Sequence, residues 1–575
     1  MKAQLLVLLA ICMSMTTSGQ KPKVTWGDEF KLNKGSTDLE VIHSDKSGVY
    51  LQESHLAMKS YYVFGYSART SATLVKLDKN LSEVYRNGFN KELKGKEFEQ
   101  FFVLQGKVFI LASNYNRKDK TLELSTAEID KTSGDLSDEW RDLTSFQKDE
   151  KKDDIRFKIS YNADSSRIIM VSSLEGREKN TYQVQEFDKN MKAGKAVTLS
   201  NEFNPKTFQL EDVLYTTNKK IILVGRMYEY LEGKKKKSKF LEFVNYNVRV
   251  YDEAGKQLNE INTSINGKWL ISTKLAIAKE KDLVLAAFYS KEKRGDIDGM
   301  LIQRIDPNSG KVISTSEKEI NQSMLSNLED EDKDASADDG DDDSKAERKE
   351  RAEAKKVKEE ADGFSKFMQF RNIFYTPDNG LLILAEKYHS YTYESTSYTP
   401  GRSGMPGSTS SVSYTVYICG DLLMCKADAE GNISWLQVLP KQQRESIRSG
   451  ASRAPNGMSM TFNYFNAYNM PFFAGFAAMQ NKNVDVIFND HAQNSDVLRA
   501  GQKTRTTFNF AKSECNIVSI DQLTGKYTRK LLFSNEDNPT AMPRLGSVLG
   551  NEMYIIGKTE KMLKTKIAVA KIKVI

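Results

Sequence analysis

The chain has 575 residues, 39% of them hydrophobic and 10% aromatic, which excludes a chain that stays unfolded. Its 84 Lys and Arg nearly balance its 77 Asp and Glu, and a net charge of +7 at this length excludes nucleic-acid binding as the main role. With 34 Gly and 11 Pro it is neither collagen-like nor a proline-rich stalk.

The chain begins "MKAQLLVLLAICMSMTTSGQ", which reads as a secretory signal over residues 1–19. Lys2 supplies the charged start, Leu5 to Met13 the apolar run, and Thr16 to Gly19 the small residues before a cut. That run is too short to span a bilayer and no later run is long enough, so no transmembrane segment is expected. Ile11 precedes Cys12 where a lipoprotein signal needs a small residue, which argues against lipidation. The expected location is outside the inner membrane: periplasmic, or extracellular and associated with the outer membrane.

Next comes an orphan strand, "KPKVTWGDEFKL", and then one phrase written seven times. Each copy is a strand, an Asp, a short turn usually holding Gly, and a second strand. The Asp residues are Asp78, Asp130, Asp188, Asp252, Asp306, Asp428 and Asp521, with gaps of 52, 58, 64, 54, 122 and 93 residues. An Asp side chain closes such a turn by accepting backbone amides two residues on, and Gly accepts the positive φ at the reversal. Two further apolar strands precede most copies, as in "FFVLQGKVFILASNY" and "LAIAKEKDLVLAAFYS". Four strands per unit, at spacings a little above the roughly 40–50 residues of a propeller blade, give an all-β chain folded as a β-propeller. The near-continuous apolar second strands, such as "KIILVGRM", suit burial between neighbouring blades.

The last segment, "GSVLGNEMYIIGKTEKMLKTKIAVAKIKVI", has three strands and stops where the Asp turn belongs. The orphan N-terminal strand therefore completes the C-terminal blade, Val24 to Leu32 pairing with Ile567 to Val574. Seven phrases and one composite blade make eight four-stranded blades, with a seven-bladed ring as the alternative. The expected organisation is one propeller domain over residues 20–575, interrupted by an insertion at 326–363.

That insertion contains "LEDEDKDASADDGDDD" and then "SKAERKERAEAKKVKEEA". The acidic run fails as a calcium loop, because Ala337 and Ala346 stand where ligands are needed around Gly340. It reads as a disordered linker followed by a charged, solvent-facing helix with pairs such as Glu347–Arg351 and Lys355–Glu359. Lys234 to Lys237 read as a solvated loop tip. "KYHSYTYESTSYTPGRSGMPGSTSSVSYTVY" reads as a long loop over residues 388–414. There Tyr388, Tyr391, Tyr393 and Tyr398 lie among Ser, Thr and Gly, a composition used by adaptable binding loops. Those four tyrosines are the candidate partner-binding residues.

No catalytic, cofactor-binding or metal-ligating residue is assigned, and no cofactor is implied. The four His and the Cys show no zinc spacing, and Cys419, Cys425 and Cys515 read as buried thiols acting as small hydrophobes. His491 beside Asp490 reads as a turn after an apolar strand rather than an acid–base pair. No G-x-S-x-G elbow stands out, so a propeller-plus-hydrolase peptidase is unsupported.

Signal, repeated Asp–turn–strand phrase and closing strand together resemble uncharacterised secreted β-propeller-like proteins of Bacteroidetes-type bacteria. The resemblance spans most of the chain after the signal and implies no activity. The expected function is a non-enzymatic binding or scaffold propeller of the bacterial cell envelope, meeting an envelope protein or glycan through its rim loops. The alternative is a propeller enzyme acting on a glycan or another exported substrate through carboxylates at the central channel, about 5–10 Å apart.

Residues 328–343 are acidic and nearly free of apolar side chains, so they cannot offset their own ordering entropy. Replacing them with a short Gly/Ser linker leaves the melting temperature almost unchanged. A large drop in a thermal melt would show that the run docks on the fold.

Overall fold

The computed structural model describes residues 22–573, except 33–35, 62–64, 148–153, 163–165, 176–178, 205, 217, 231–240, 263–266, 279–281, 293–296, 307, 308, 310, 321–367, 400–407, 450–471 and 562–563. The signal, the insertion at 326–363 and Lys234 to Lys237 lie outside these residues. Strands are numbered β1 to β33 in chain order. They form eight antiparallel sheets arranged as the blades of one ring. Seven blades follow one another, over residues 36–88, 97–147, 154–198, 208–262, 269–319, 368–439 and 477–534, each with its four strands in sequence order from the centre outward. The eighth consists of β31 (Thr540–Leu549), β32 (Glu552–Lys561), β33 (Lys564–Lys573) and, outermost, β1 (Lys23–Trp26). Eight blades replace the seven-bladed alternative. Helical structure among the described residues amounts to two 3-10 turns, and none of their helices is long and apolar enough to cross a membrane.

Alternation along the inner strands builds the ring. In β23 (Leu381–Thr399), Leu381, Ile383 and Ala385 pack toward blade five, while Leu382 and Leu384 pack toward blade seven. Successive side chains of a strand point to opposite faces, so a strand covered on both faces must be apolar at every position. The second strand of blade five, β19 (Asp282–Ser290), is buried from Leu283 to Ser290. Its Leu283 joins the cluster shared with blade four and its Val284 the cluster shared with blade six. Every junction around the ring has its own apolar cluster, including the one between blades eight and one, where Val41, Leu51 and Val75 meet Ile556 and Val569.

Every repeated Asp sits between the third and fourth strands of a blade. Its carboxylate accepts the amide two residues on in most copies, as from Asn80 to Asp78 (2.8 Å) and from Ala254 to Asp252 (2.9 Å). Two copies lack Gly at the reversal. Leu81 and Met191 take φ of 65° and 59° instead, and both are buried. A left-handed non-glycine residue costs about 1–2 kcal/mol, which burying a Leu or Met side chain offsets.

These turns also join the blades. Trp435, on the outer strand β25 (Ile433–Leu439) of blade six, donates its indole N–H to Leu523 O in the Asp521 turn of blade seven, at 3.2 Å. The indole lies across Gly525, where φ is 71° and a Cβ would stand 2.7 Å from the ring. Arg141 of blade two donates to Asn190 O in the turn of blade three (3.1 Å), and Asn259 of blade four donates to Ser309 O in that of blade five. Lys76 of blade one reaches Lys131 O in blade two at 2.7 Å.

The closure takes the expected partners with a shorter strand. Val24 opposes Ile572 and Trp26 opposes Ala570. The chain then leaves the ladder and returns for one bridge, Phe30 to Ile567. Trp26 meets Phe533 of blade seven edge-on with ring centroids 5.4 Å apart, and Arg86 of blade one covers the Phe30 ring at 5.1 Å. Deleting residues 20–33 exposes the β33 edge and the apolar surface beneath Trp26 and Phe30. The deletion variant melts well below the parent by circular dichroism, and equal melting would refute the closure as a stabilising element.

Candidate functional site: a charged cluster at the foot of a tyrosine ribbon

Antiparallel order sorts the connections by face. Turns from first to second and from third to fourth strand lie on one face of the ring, and these are short. Second-to-third hairpins and blade-to-blade connections lie on the other. The strand ends on this second face include those that flank the longest connections, from Tyr230 to Leu241, Glu319 to Met368, Thr399 to Ser408, Ser449 to Ala477 and Asp490 to Glu514.

The largest described elaboration is on blade six. Residues 388–414, expected as a loop, are mostly strand. β23 pairs with β24 (Ser408–Ala427) inside the blade as far as Glu386↔Leu422. After an irregularity at Lys387 the pairing resumes at Tyr388↔Cys419 and runs to Thr399↔Ser408. β26 (Gln443–Ser449) adds a third strand along the extension, from Cys419↔Gln443 to Ser413↔Ser449. Alternating Tyr, Ser and Thr is a strand-forming pattern, and only residues 400–407, with Pro and Gly, interrupt it. The register puts His389, Tyr391 and Tyr393 on one face and Tyr388 on the other. Tyr393 is buried and stacks on Tyr414 with centroids 5.4 Å apart, and Tyr391 is half-buried beside it. Tyr398 stands opposite Thr409 near the ribbon's end.

At the ribbon's foot lies a group of charges that the sequence does not announce. Glu386 on β23 is fully buried. Its Oε1 accepts Lys441 Nζ–H at 2.8 Å, and its Oε2 accepts Arg371 Nε–H at 2.9 Å and Arg544 Nη1–H at 3.3 Å. Arg371 occupies a bulge of β22 (Met368–Tyr375), the inner strand of blade six, where the register skips it between Phe370 and Asn372. A bulge turns one side chain out of the pleat. Arg544 comes from the inner strand of blade eight, and Lys441 from the segment joining β25 to β26. Both guanidinium groups lie over the Tyr388 ring, at 4.8 and 5.5 Å from its centroid. Lys441 also donates to Gln443 Oε1 (2.8 Å) and Cys419 O (3.3 Å). Burial alone raises the Glu386 carboxyl, but Lys441, Arg371 and Arg544 outweigh it and hold the group down at about 2. Burial pushes the Tyr388 hydroxyl and the Cys419 thiol up to about 12.

The other charged groups have local duties. Glu445 spends its carboxylate on the amides of Phe472, Phe473 and Ala474 (3.0, 2.8 and 2.8 Å), fixing the approach to blade seven. Asp490 accepts from Arg529, Asn494, Thr507 and the His491 amide, and the His491 ring caps a 3-10 turn by accepting the Gln493 amide. Cys419, Cys425 and Cys515 are free and buried, and the first two share β24. In blade two, Glu99 is buried against Ser113 and desolvation raises its carboxyl to about 8.

No family model matches the chain, and no curated protein matches it. Among solved structures, the β-propeller domain of the Trilobed protease from Pyrococcus furiosus is 11% identical over 77% of this chain and 99% of its own, with a TM-score of 0.25. An α-L-arabinanase from Penicillium chrysogenum is 7% identical over 52% and 98%, with a TM-score of 0.28. The GH93 α-L-arabinofuranosidase of Fusarium graminearum is 12% identical over 52% and 98%, with a TM-score of 0.28. These likenesses carry no argument about activity.

Replacing Glu386 by Gln leaves three cations around a neutral amide and costs about 3–5 kcal/mol at neutral pH. The folded carboxyl titrates below the unfolded value of about 4.3, so its contribution is complete above that pH and fades as pH falls toward 2. Thermal melts from pH 7 to 2.5 show the gap between parent and E386Q narrowing below about pH 4.5. A constant gap would contradict the ion cluster.

Proposed function

We propose that the protein is an exported, non-enzymatic binding or scaffold propeller of the bacterial cell envelope. It holds an envelope protein or glycan on the face that carries its long connections. The observation that supports this reading is the three-stranded tyrosine ribbon standing on that face, where the strand ends that flank the longest connections also lie. Short, stitched turns on the opposite face leave little surface that varies from blade to blade. Aromatic side chains on a strand framework offer large contact area at low entropic cost, and Tyr391 and Tyr398 are the ribbon tyrosines assigned to the partner. Tyr393 packs inside the ribbon and Tyr388 holds the guanidinium groups, so both support the surface instead of forming it. Export rests on residues 1–19.

The test shortens the ribbon without touching its foot. Glu394 and Ser413 are cross-strand partners, so residues 395–412 are replaced by an Asn-Gly turn. A second variant carries Tyr391→Ser. Both keep the parent's circular dichroism spectrum and melt within a few degrees of it. Pull-downs from the native envelope then lose partners that the parent recovers. Recovery of the same partners by the shortened variant would overturn the assignment.

A further inference from the structure

We propose that the channel wall between blades six, seven and eight binds an anionic group, a carboxylate or a phosphate, through Arg544, which Arg371 flanks across the Tyr388 ring. This goes beyond the partner role of the ribbon and does not depend on it. Lys441, Arg371 and Arg544 all bond to one carboxylate, Glu386. Two guanidinium groups and an ammonium share the Glu386 carboxylate in a region largely closed to water. Buried charge without a counterpart is costly, and a second anion relieves that cost. Asp421 is the acid at Lys441, whose amide it accepts at 3.2 Å; the others are committed elsewhere. Glu445 is engaged by three backbone amides, and Asp490 is paired with Arg529.

The donors are also incompletely used. Among the described residues, Arg544 bonds only through Nη1 and Arg371 only through Nε. Arg371 Nη2 and Arg544 Nε are buried with no acceptor. Tyr388 backs both guanidinium planes, and Arg544 Nη1 lies 3.1 Å from where a Cβ on Gly475 would stand, so the plane has little room to turn away. Arg544 borders a cavity of about 440 Å³ on the channel side, with Asn372, Phe374, Gln480, Pro543 and Val548 around it. This volume suits a small ligand of one or two rings. Asn372 offers an uncharged hydrogen-bonding group beside the cation, while Gln480 spends its amide donors on Tyr375 O and Gln522 Oε1. Arginine's planar fork matches the two oxygens of a carboxylate or phosphate, so an acid entering this cavity meets a guanidinium already held in place.

The experiment is thermal shift and calorimetry on the full chain at low salt, with inorganic phosphate, acetate and galacturonate as probes and galactose as the neutral control. The parent's melting temperature rises saturably with at least one anion and not with galactose. Arg544→Gln loses the response. Arg544→Lys keeps the charge and the fold but not the fork, and binds about tenfold more weakly. A tri-galacturonate arm separates the sources. Tighter binding than the monomer assigns the site to the acidic unit of a polymer, and equal binding assigns it to a free small acid. No saturable anion response in the parent, or an undiminished one in a folded Arg544→Lys or Arg544→Gln variant, overturns the proposal.

Discussion

Each blade of this ring is apolar on both faces, and that constraint governs the rest. A strand such as β23 sends alternate side chains to two different neighbours, so a blade with one face uncovered leaves half its apolar residues in water. Seven blades in a row leave two bare faces at the ends. Adding an eighth and curling the row into a ring buries both, and the cluster of Val41, Leu51, Ile556 and Val569 records that burial. What remains is a hydrogen-bonding edge on the last blade, which β1 occupies.

The same constraint explains why the two faces of the ring differ. On the short-turn side, each Asp turn carries an outer-strand side chain or backbone contact from the preceding blade, as Trp435 on Gly525 or Arg141 on Asn190. Lengthening such a turn would break its own capping bond and its neighbour's contact together. Second-to-third hairpins and blade-to-blade connections carry no such duty. Additional chain therefore accumulates there, and with it the tyrosine ribbon and the 491–513 segment. The buried ion cluster stands where these elaborations meet the inner strands, at the root of the ribbon and the start of blade seven.

The architecture was legible in the sequence because its signals are local. Asp78 and Asp521 accept their amide hydrogen bonds from within a few residues, and the alternation that marks a blade strand spans fewer than a dozen. The missing fourth strand at one end and the orphan at the other could be matched by simple bookkeeping. The ribbon was misread as a loop because its Gly and Pro, confined to residues 400–407, weighed more than the strand-like alternation on either side. The ion cluster had no signal at all. Its partners lie 15, 55 and 158 residues from Glu386, and a lone Glu or Arg in an apolar strand reads the same whether it faces water or a buried counter-charge. The one usable hint was Glu386 itself, a charge closing the apolar run "LLILAE", where a blade strand has no solvent side.

Closure by the first strand also fixes an order of events. A ribosome makes Lys23–Trp26 long before Lys564–Lys573, yet these are hydrogen-bonding neighbours, and Glu29 and Lys566, 537 residues apart, meet at 3.0 Å. Blades one to seven can each form their own hairpins as they emerge, because every contact within them is local. The seam waits for β33. Until then the N-terminal strand has no partner, blade one keeps an open flank, and the ring is a curved row that still flexes. A nascent chain of this kind gains its full cooperativity in one late step, and its vulnerable interval to proteolysis and to misassociation through open strand edges lasts as long as its synthesis.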